Sequence, residues 1–426
     1  MQNKAPKGTR DILPSETHRW HYLEAEIREV CRVFGYPEIR IPTFESTELF
    51  TRSVGETTDV VQKEMYTLPD KAGRSLTLRP EGTAGVVRAF IENGMSSLPM
   101  PVRMYYLGPM YRYENVADGR YREFRQFGCE VFGAKEPDCD VEVISILKNL
   151  FDRIGLSDTD LRINSIGCPT CRAAYHERLR AYLTPKLDRL CRDCAERFAK
   201  NPLRLFDCKE ERCQAELAGA PMLLDYICDD CAAHFSGLKD GLAEAGISYQ
   251  VDQEIVRGLD YYTRTVFEFA SKSLATLGGA ICGGGRYDGL VKLCGGQDTP
   301  GIGFAVGLDR LFLELESRGA ALPEPKGPTL FLIASGERAK KQVRALVHRL
   351  RAAGHGVGMD LLGRSVKAQM KYADKLNAAF TAVIGDNEID GGKAAVRDMK
   401  DGSVKEIALD GLFEAVCAGR LGAEKD

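Results

Sequence analysis

The sequence predicts an α+β chain: a strand-rich region, a helical insertion and a smaller α/β domain at the C-terminal end. Three observations predict it. Short strand-like stretches crowd residues 38–133 and return after residue 248. Residues 166–250 between them read mostly as helix, punctuated by cysteine pairs. Beyond GAALPEPKGP (319–328), whose three prolines mark a linker, the pattern becomes strand–helix alternation.

Residues 16–34 carry Trp20, Leu23, Ile27, Val30 and Phe34 on one helical face, and Gly35 ends that helix. EIRIPTFE follows as a strand pattern broken by Pro42, which points to an edge, a bend or a bulge. Short strands and turns continue to about residue 135 in MYTL, SLTLRP, RMYYLGPMYRYE and FRQFGCEVFG. A helix near 140–154 and the strand LRINSIG lead into the cysteine-rich part. Strands resume at SYQVDQEIV and TRTVFEFA, then come a glycine-rich turn, GGGRYDG, and the segment TPGIGFAVGLDRLFLELE. The last part reads as strand TLFLIAS, helix RAKKQVRALVHRLRAAG, strand GVGMDL, helix VKAQMKYADKLNA, strand AFTAVIG, a hairpin over AAVRDMKDGSVKEIAL and a final helix. That is a small domain with a mostly parallel sheet.

The chain has 426 residues, room for two or three domains each with its own core. With 44% hydrophobic and 28% charged residues its composition is that of a soluble globular protein. MQNKAPKGTR lacks the apolar stretch of a signal peptide, and no run approaches the ~20 apolar residues of a membrane helix, so the chain reads as cytosolic with no membrane partner. A net charge of −3 excludes a globally basic binder, but the charge is uneven. Glu337 to Lys375 holds ten basic and three acidic residues, a pattern that fits either a phosphate-backbone footprint or a solvated helix face.

Two nucleotide signatures are missing. There is no GxxxxGK[ST] loop. The run from Gly301 to Gly307 is spaced GxGxxxG and has no βαβ unit ahead of it, which excludes a dinucleotide fold. What remains is a set of arginines in apolar, strand-like settings: Arg79, Arg112, Arg257 and Arg310. Arginine is seldom buried without a partner or an anionic ligand, and its planar donors suit phosphate oxygens. A salt bridge within a sheet explains any one of them; four together point to a phosphate-handling cleft.

At these residues the sequence resembles the class II aminoacyl-tRNA synthetases. GYPEIRIPTFE resembles motif 1, MYRYE through YREFRQFGCE resembles motif 2, and GIGFAVGLDRL resembles motif 3. VRGLDYYTRTVFEF and GGGRYDGL resemble histidyl-tRNA synthetases in particular, as do TLRPEGTAG and RQFGCEVFG, and the resemblance covers nearly the whole chain. It implies an antiparallel class II catalytic sheet flanked by helices (1–165 and 251–320), a helical insertion (166–250) and an α/β anticodon-binding domain (326–426). It implies activation of L-histidine by ATP with Mg2+, then transfer to tRNA(His), by a homodimer joined through motif 1. Arg112 is expected on the ATP α-phosphate and Arg310 on the distal phosphates. Arg257 is expected near the α-phosphate and the substrate carboxylate, and it has no acidic residue within two positions to pair with it. Glu81, Thr83 and Gln126 are expected to contact the α-amino group. Glu130 and Tyr262, with Tyr261 beside them, are expected to read the imidazole, since a carboxylate and a phenol address both ring nitrogens. The glycines of GGGRYDG would let backbone approach the substrate.

One departure is the motif 2 loop. Relatives often carry Pro-Gln-like residues after the position of Glu114; here the loop is Asn115-Val116-Ala117-Asp118-Gly119. This leaves the acceptor-stem contacts open. Two rivals come with the resemblance. One is a regulatory paralogue in histidine biosynthesis, a kind that usually lacks the C-terminal domain and has an eroded VRGLDYY segment; both are intact here. The other is a class II synthetase for a different amino acid, which VRGLDYY and GGGRYDGL oppose. The chain also lacks the extensions of eukaryotic relatives, which suggests a bacterial-type enzyme.

Fourteen cysteines complete the reading, eight of them between Cys168 and Cys231. Cys168/Cys171, Cys191/Cys194 and Cys228/Cys231 have CxxC spacing, and Cys208/Cys213 has four residues between. Two sulfurs so spaced can reach one tetrahedral ion, and a reducing compartment favours metal over disulfides. Structural zinc is therefore expected, in two sites of four thiolates or in one with cysteines left over, distant from the arginine cleft. Small buried residues in a helical domain would give the same spacing. The family resemblance lends zinc no support.

Overall fold

The computed structural model of the chain describes residues 3–55, 58–271 and 279–422. Two compact units emerge, Met1–Leu322 and Pro323–Asp426, divided within the proline-bearing segment. The centre of the first is a seven-stranded sheet in the order Val102–Tyr111, Glu123–Phe132, Gly301–Gly307, Ala280–Arg286, Thr263–Ala270, Asp160–Ser165, Gln250–Val251. Neighbours are antiparallel except the last pair, which is parallel.

Strand alternation separates two faces of this sheet. Phe127, Cys129 and Val131 bury on one face together with Phe267, Phe269, Phe304 and Val306. Against them pack the helices Thr17–Phe34, through Leu23 and Ile27, and Pro137–Arg153, through Val143, Leu147 and Phe151. Each such side chain contributes roughly 1.5–3 kcal/mol by burial. The alternate residues Gln126, Gly128 and Glu130 face the other way, so one strand supplies both core and site. Arg286 at the end of its strand is wholly buried, and its guanidinium lies 2.5 Å from Asp140 of the Pro137–Arg153 helix. Asp140 also meets His234 of the helix Asp229–Glu244 at 3.2 Å. One carboxylate thus joins the sheet to two helices.

The structure differs from the sequence reading in several places. Helices form at Thr47–Val54 and Thr83–Glu92, where short strands and turns were expected. The second is buried from Thr83 to Val87 and again at Ala89 and Phe90, and its outer side is marked by little beyond Arg88 and Glu92, a short polar stripe behind the turn-like PEG. GGGRYDG is a turn only at its end: Gly283, Gly284 and Gly285 lie inside the Ala280–Arg286 strand, and the turn falls at Asp288 and Gly289. Pro42 breaks its segment as expected. Glu38 makes an isolated bridge to Tyr105, and Phe44–Ser46 joins a separate three-stranded sheet with Ser75–Leu78 and Thr67–Pro69. SYQVDQEIV yields only the two-residue strand Gln250–Val251.

The second unit is a five-stranded sheet in the order Val357–Met359, Leu330–Ala334, Phe380–Ile384, Lys393–Asp398, Val404–Ala408. Its first three strands are parallel and the hairpin is antiparallel, so the sheet is mixed rather than mostly parallel. Helices Glu337–Ala352, Val366–Lys375 and Leu412–Cys417 form where the periodicity places them, with a further short one at Asp386–Gly391.

Candidate active site

The open face of the large sheet forms the floor of a cavity of about 300 Å³. Glu81, Thr83, Arg112, Gln126, Arg257, Tyr261, Tyr262 and Arg310, residues far apart in sequence, all line it.

One end is acidic and phenolic. Glu81 sits just before the helix Thr83–Glu92 and accepts the backbone N–H of Thr83 at 2.6 Å and of Ala84 at 2.8 Å. A carboxylate at a helix N-terminus satisfies donors that the helix leaves open. Burial raises the Glu81 pKa, and those two N–H bonds oppose the rise. Glu130 lies behind the wall, 1% exposed, rather than on the cavity surface. Its carboxyl takes the Thr83 hydroxyl at 2.7 Å and the Tyr287 hydroxyl on its other oxygen. Burial pushes its pKa up to about 8, helped by the charge of Glu81 and opposed by the two hydroxyl bonds. Tyr261 and Tyr262 lie side by side, ring centroids 4.7 Å apart, and Tyr261 meets Tyr287 edge-on at 5.7 Å. The buried Tyr106 hydroxyl donates to Gln126 at 3.3 Å.

The other end is cationic. Arg112 is held by a 2.8 Å bond from Nε to the Pro80 carbonyl and by contact with Phe124, and it lies 3.7 Å from Glu114. Arg310 donates to the Ala280 carbonyl at 3.2 Å. Burial lowers the Arg310 pKa, and the charges of Arg120 and Arg112 lower it further. Three guanidinium groups this close repel one another and favour an anion between them. Arg257 pairs with Glu268 of the neighbouring Thr263–Ala270 strand. That partner is eleven residues on, which is why no local acid was visible in the sequence. Burial alone would lower the Arg257 pKa, but Glu268 and then Tyr262 hold it above the usual arginine range. The Arg257 Nε is buried with no hydrogen-bond partner among the described residues. Arg79 does not join the cleft: it donates to the carbonyls of Pro109, Ile41 and Pro42 at 2.8, 2.6 and 3.2 Å. It is a backbone tie across the Pro42 break, not a phosphate ligand.

Glycines in the floor make room for these side chains. A Cβ on Gly283 would fall 2.3 Å from the Arg257 guanidinium, and one on Gly303 would fall 1.9 Å from a Glu130 carboxyl oxygen. The glycine run was expected to line the pocket, and Gly283 does so while also admitting the Arg257 side chain.

The insertion reaches the segment that carries Tyr262. Arg172 donates to the Tyr262 carbonyl at 3.0 Å, and Asn201 donates to the Asp260 carboxylate at 2.9 Å. Both contacts fall on Asp260 and Tyr262, just ahead of the strand Thr263–Ala270.

A family model described as "Histidyl-tRNA synthetase" matches residues 8–311, and one described as "Anticodon binding domain" matches residues 329–418. The chain belongs to the histidyl-tRNA synthetase family. The histidine–tRNA ligase of Acetivibrio thermocellus is 58% identical over 413 residues, 97% of this chain and 99% of that one. That of Caldanaerobacter subterraneus subsp. tengcongensis is 50% identical over 98% of this chain and 100% of that one. The crystal structure of apo S. aureus histidyl-tRNA synthetase has a TM-score of 0.84 at 39% identity, covering 97% of this chain and 100% of that chain. A histidyl-tRNA synthetase fold therefore underlies the α+β architecture, with an anticodon-binding domain after the catalytic part, and the chain is an aminoacyl-tRNA synthetase of class II. Among the described residues no helix is long and apolar enough to cross a membrane. Sequence reasoning did not single out Tyr287 in the wall of this histidyl-tRNA synthetase cavity, nor Tyr106 and Glu268, which hold the lining residues Gln126 and Arg257 from behind. Tyr287 was within reach, since it lies in the quoted GGGRYDGL string; Glu268 shows only once the strands are paired.

Proposed function

We propose that this cavity makes histidyl-tRNA in two steps. The carboxylate of L-histidine attacks the α-phosphorus of ATP in line, and pyrophosphate leaves. The terminal ribose hydroxyl of tRNA(His) then attacks the carbonyl of histidyl-adenylate, and AMP leaves. The observation that carries this reading is the polarity of one cavity, with carboxyls and phenols at one end and Arg112, Arg257 and Arg310 at the other. Histidine lies with its amino group toward Glu81, Thr83 and Gln126, and its ring toward Tyr261, Tyr262 and the Glu130 carboxyl behind them. Arg112 holds the α-phosphate and Arg310 the distal phosphates. Arg257, kept in place by Glu268, faces the charge that builds at the pentavalent phosphorus. Magnesium would accompany ATP, and Glu114, which lines the cavity beside Arg112, would offer a carboxylate to it. Positioning and fixed charge supply the catalysis, with no covalent enzyme intermediate.

The catalytic core comprises residues 1–165 and 251–320, with the insertion at 166–250, and residues 326–426 read the anticodon. The enzyme works in the cytoplasm as a homodimer through the motif 1 segment around Pro42; a fully active monomer in sedimentation would overturn that part. Pyrophosphate exchange driven by each amino acid in turn tests the whole. Histidine alone is expected to support it. Exchange with another amino acid, or none at all, would sink the reading and revive the other synthetase or the regulatory paralogue.

A further inference from the structure

Eight thiols of the insertion remain outside this chemistry, and the fold gathers them into two tetrads. Cys168 and Cys171 meet Cys228 and Cys231; Cys191 and Cys194 meet Cys208 and Cys213. Within each tetrad all four sulfurs lie within 4.8 Å of one another. The Sγ–Sγ distances are 3.5 Å for Cys168–Cys171 and 3.9 Å for Cys171–Cys231 and for Cys191–Cys208. Four sulfurs on a tetrahedral ion at ~2.3 Å stand about 3.8 Å apart, whereas a disulfide would bring two of them to ~2.05 Å. Packing of small buried residues explains burial, but not the convergence of four sulfurs on one point, twice.

The backbone suits thiolates. Cys168, Cys191 and Cys228 each stand at the start of a helix, namely Pro169–Leu183, Arg192–Lys200 and Asp229–Glu244. Main-chain N–H groups aim at sulfur: Cys228 N to Cys171 Sγ at 3.1 Å, Cys191 N to Cys213 Sγ at 3.1 Å, and Cys194 N to Cys191 Sγ at 3.4 Å. Such donors spread the charge of a ligated thiolate. The segment from 184 to 226 also consists of short helical pieces, the longest being Arg192–Lys200. A small unit of this kind usually needs a staple beyond its apolar core.

We propose that the insertion holds two structural metal ions of the zinc type, one in each cysteine tetrad, and that they fix the insertion against the segment 260–264 that carries Tyr262. Four thiolates select a soft tetrahedral ion over magnesium or calcium. The first ion clamps the point where the chain leaves and re-enters the catalytic sheet. Gly167 next to it accepts the Arg264 N–H at 2.9 Å, and Arg172 next to it holds the Tyr262 carbonyl. The second closes 191–213, whose Arg197 and Arg204 reach Asp59 at 3.4 and 3.6 Å and whose Asn201 reaches Asp260. Loss of either ion therefore disturbs adenylate formation as well as tRNA charging.

The test is metal analysis of the full chain purified without chelator. Two zinc ions per chain are expected. Cys231→Ser and Cys194→Ser should each retain one, because the tetrads share no ligand. Cobalt exchanged into the protein should show the intense visible bands of tetrahedral thiolate coordination. Less than about 0.2 metal per folded chain, with no cobalt uptake, overturns the proposal, because a structural site is nearly full in folded protein. A thiol count short of fourteen in that metal-free chain means disulfides and overturns it too. One ion per chain, kept in one variant and lost in the other, overturns the site whose variant keeps it.

Discussion

Glu130 and Gly303 stand directly opposite one another on neighbouring strands, and the Glu130 carboxyl fills the space a side chain at 303 would take. A Cβ there would fall 1.9 Å from that carboxyl and 2.5 Å from the Cys129 carbonyl, which is backbone and has nowhere to go. Gly303→Ala should therefore cost about 1–3 kcal/mol of stability, as overpacking does, and raise the KM for histidine far more than that for ATP. Thermal melts and pyrophosphate exchange read both. Gly289→Ala, where nothing lies within 4 Å of the added carbon, is the control and should change neither.

The same carboxyl gives the free enzyme a pH signature. Its pKa in the folded chain is raised from 4.5 to about 8, so between those values the folded state binds more protons than the unfolded. Its contribution is thus fully present below about pH 4.5 and lost as pH rises through about 8, with a slope of at most ~1.4 kcal/mol per pH unit for one proton. Glu130→Gln removes this component. Denaturant midpoints from pH 5 to 9 should fall less steeply in the variant, and identical slopes would show that Glu130 is not the group.

Arg257→Ala should leave the fold intact and abolish adenylate formation. Loss of one fixed charge at the reacting phosphorus costs ~3–4 kcal/mol of transition-state stabilisation, a fall of several hundredfold in kcat/KM for exchange. It also strands Glu268 near the phosphate site, so Arg257→Ala with Glu268→Gln should recover part of the loss. Near-wild-type exchange in the single variant removes Arg257 from the mechanism.

A chain ending at Leu322, the edge of the first unit, keeps the whole cavity. It should still form adenylate but charge tRNA poorly, because the basic stretch from Glu337 to Lys375 is gone. The full chain's affinity for tRNA should fall with salt, as counterion release requires. Unchanged aminoacylation by the shortened chain would refute the assignment of that domain.

The legible part of the site was the part written in local strings. Alternation in FRQFGCEVFG separates core residues from Gln126 and Glu130, and the strand bears this out face by face. Arg112 and Arg310 stood out because a cation in an apolar strand or helix start needs a reason. Arg79 has the same sequence signature and a different reason, three backbone carbonyls brought to it by a proline break. Long-range pairing decided the rest. Nothing local says that Gly283 is empty so that Arg257 can occupy its space, or that Glu268 is the counterion. Nor could spacing choose among the cysteine pairs, since their convergence is a property of the folded insertion. Helix Thr83–Glu92 escaped because it is largely buried, with little beyond the Arg88–Glu92 pair to mark a polar face.

The strand Gly301–Gly307 lies in the middle of the sheet yet is the last of the seven to leave the ribosome. Until it emerges, the hairpin Val102–Phe132 keeps an unpaired edge facing the place that strand will take, and so does Ala280–Arg286 on the other side. Nascent chains therefore carry the open hairpin edge, a surface prone to pair with a wrong neighbour, from residue 132 until Gly301–Gly307 emerges, and the second open edge only after Arg286. No product that ends before Gly303 can hold histidine, because the floor beneath Glu130 arrives last. Chains that stop short of Arg310 are thus catalytically silent, and assembly of the site reports that translation has passed that residue.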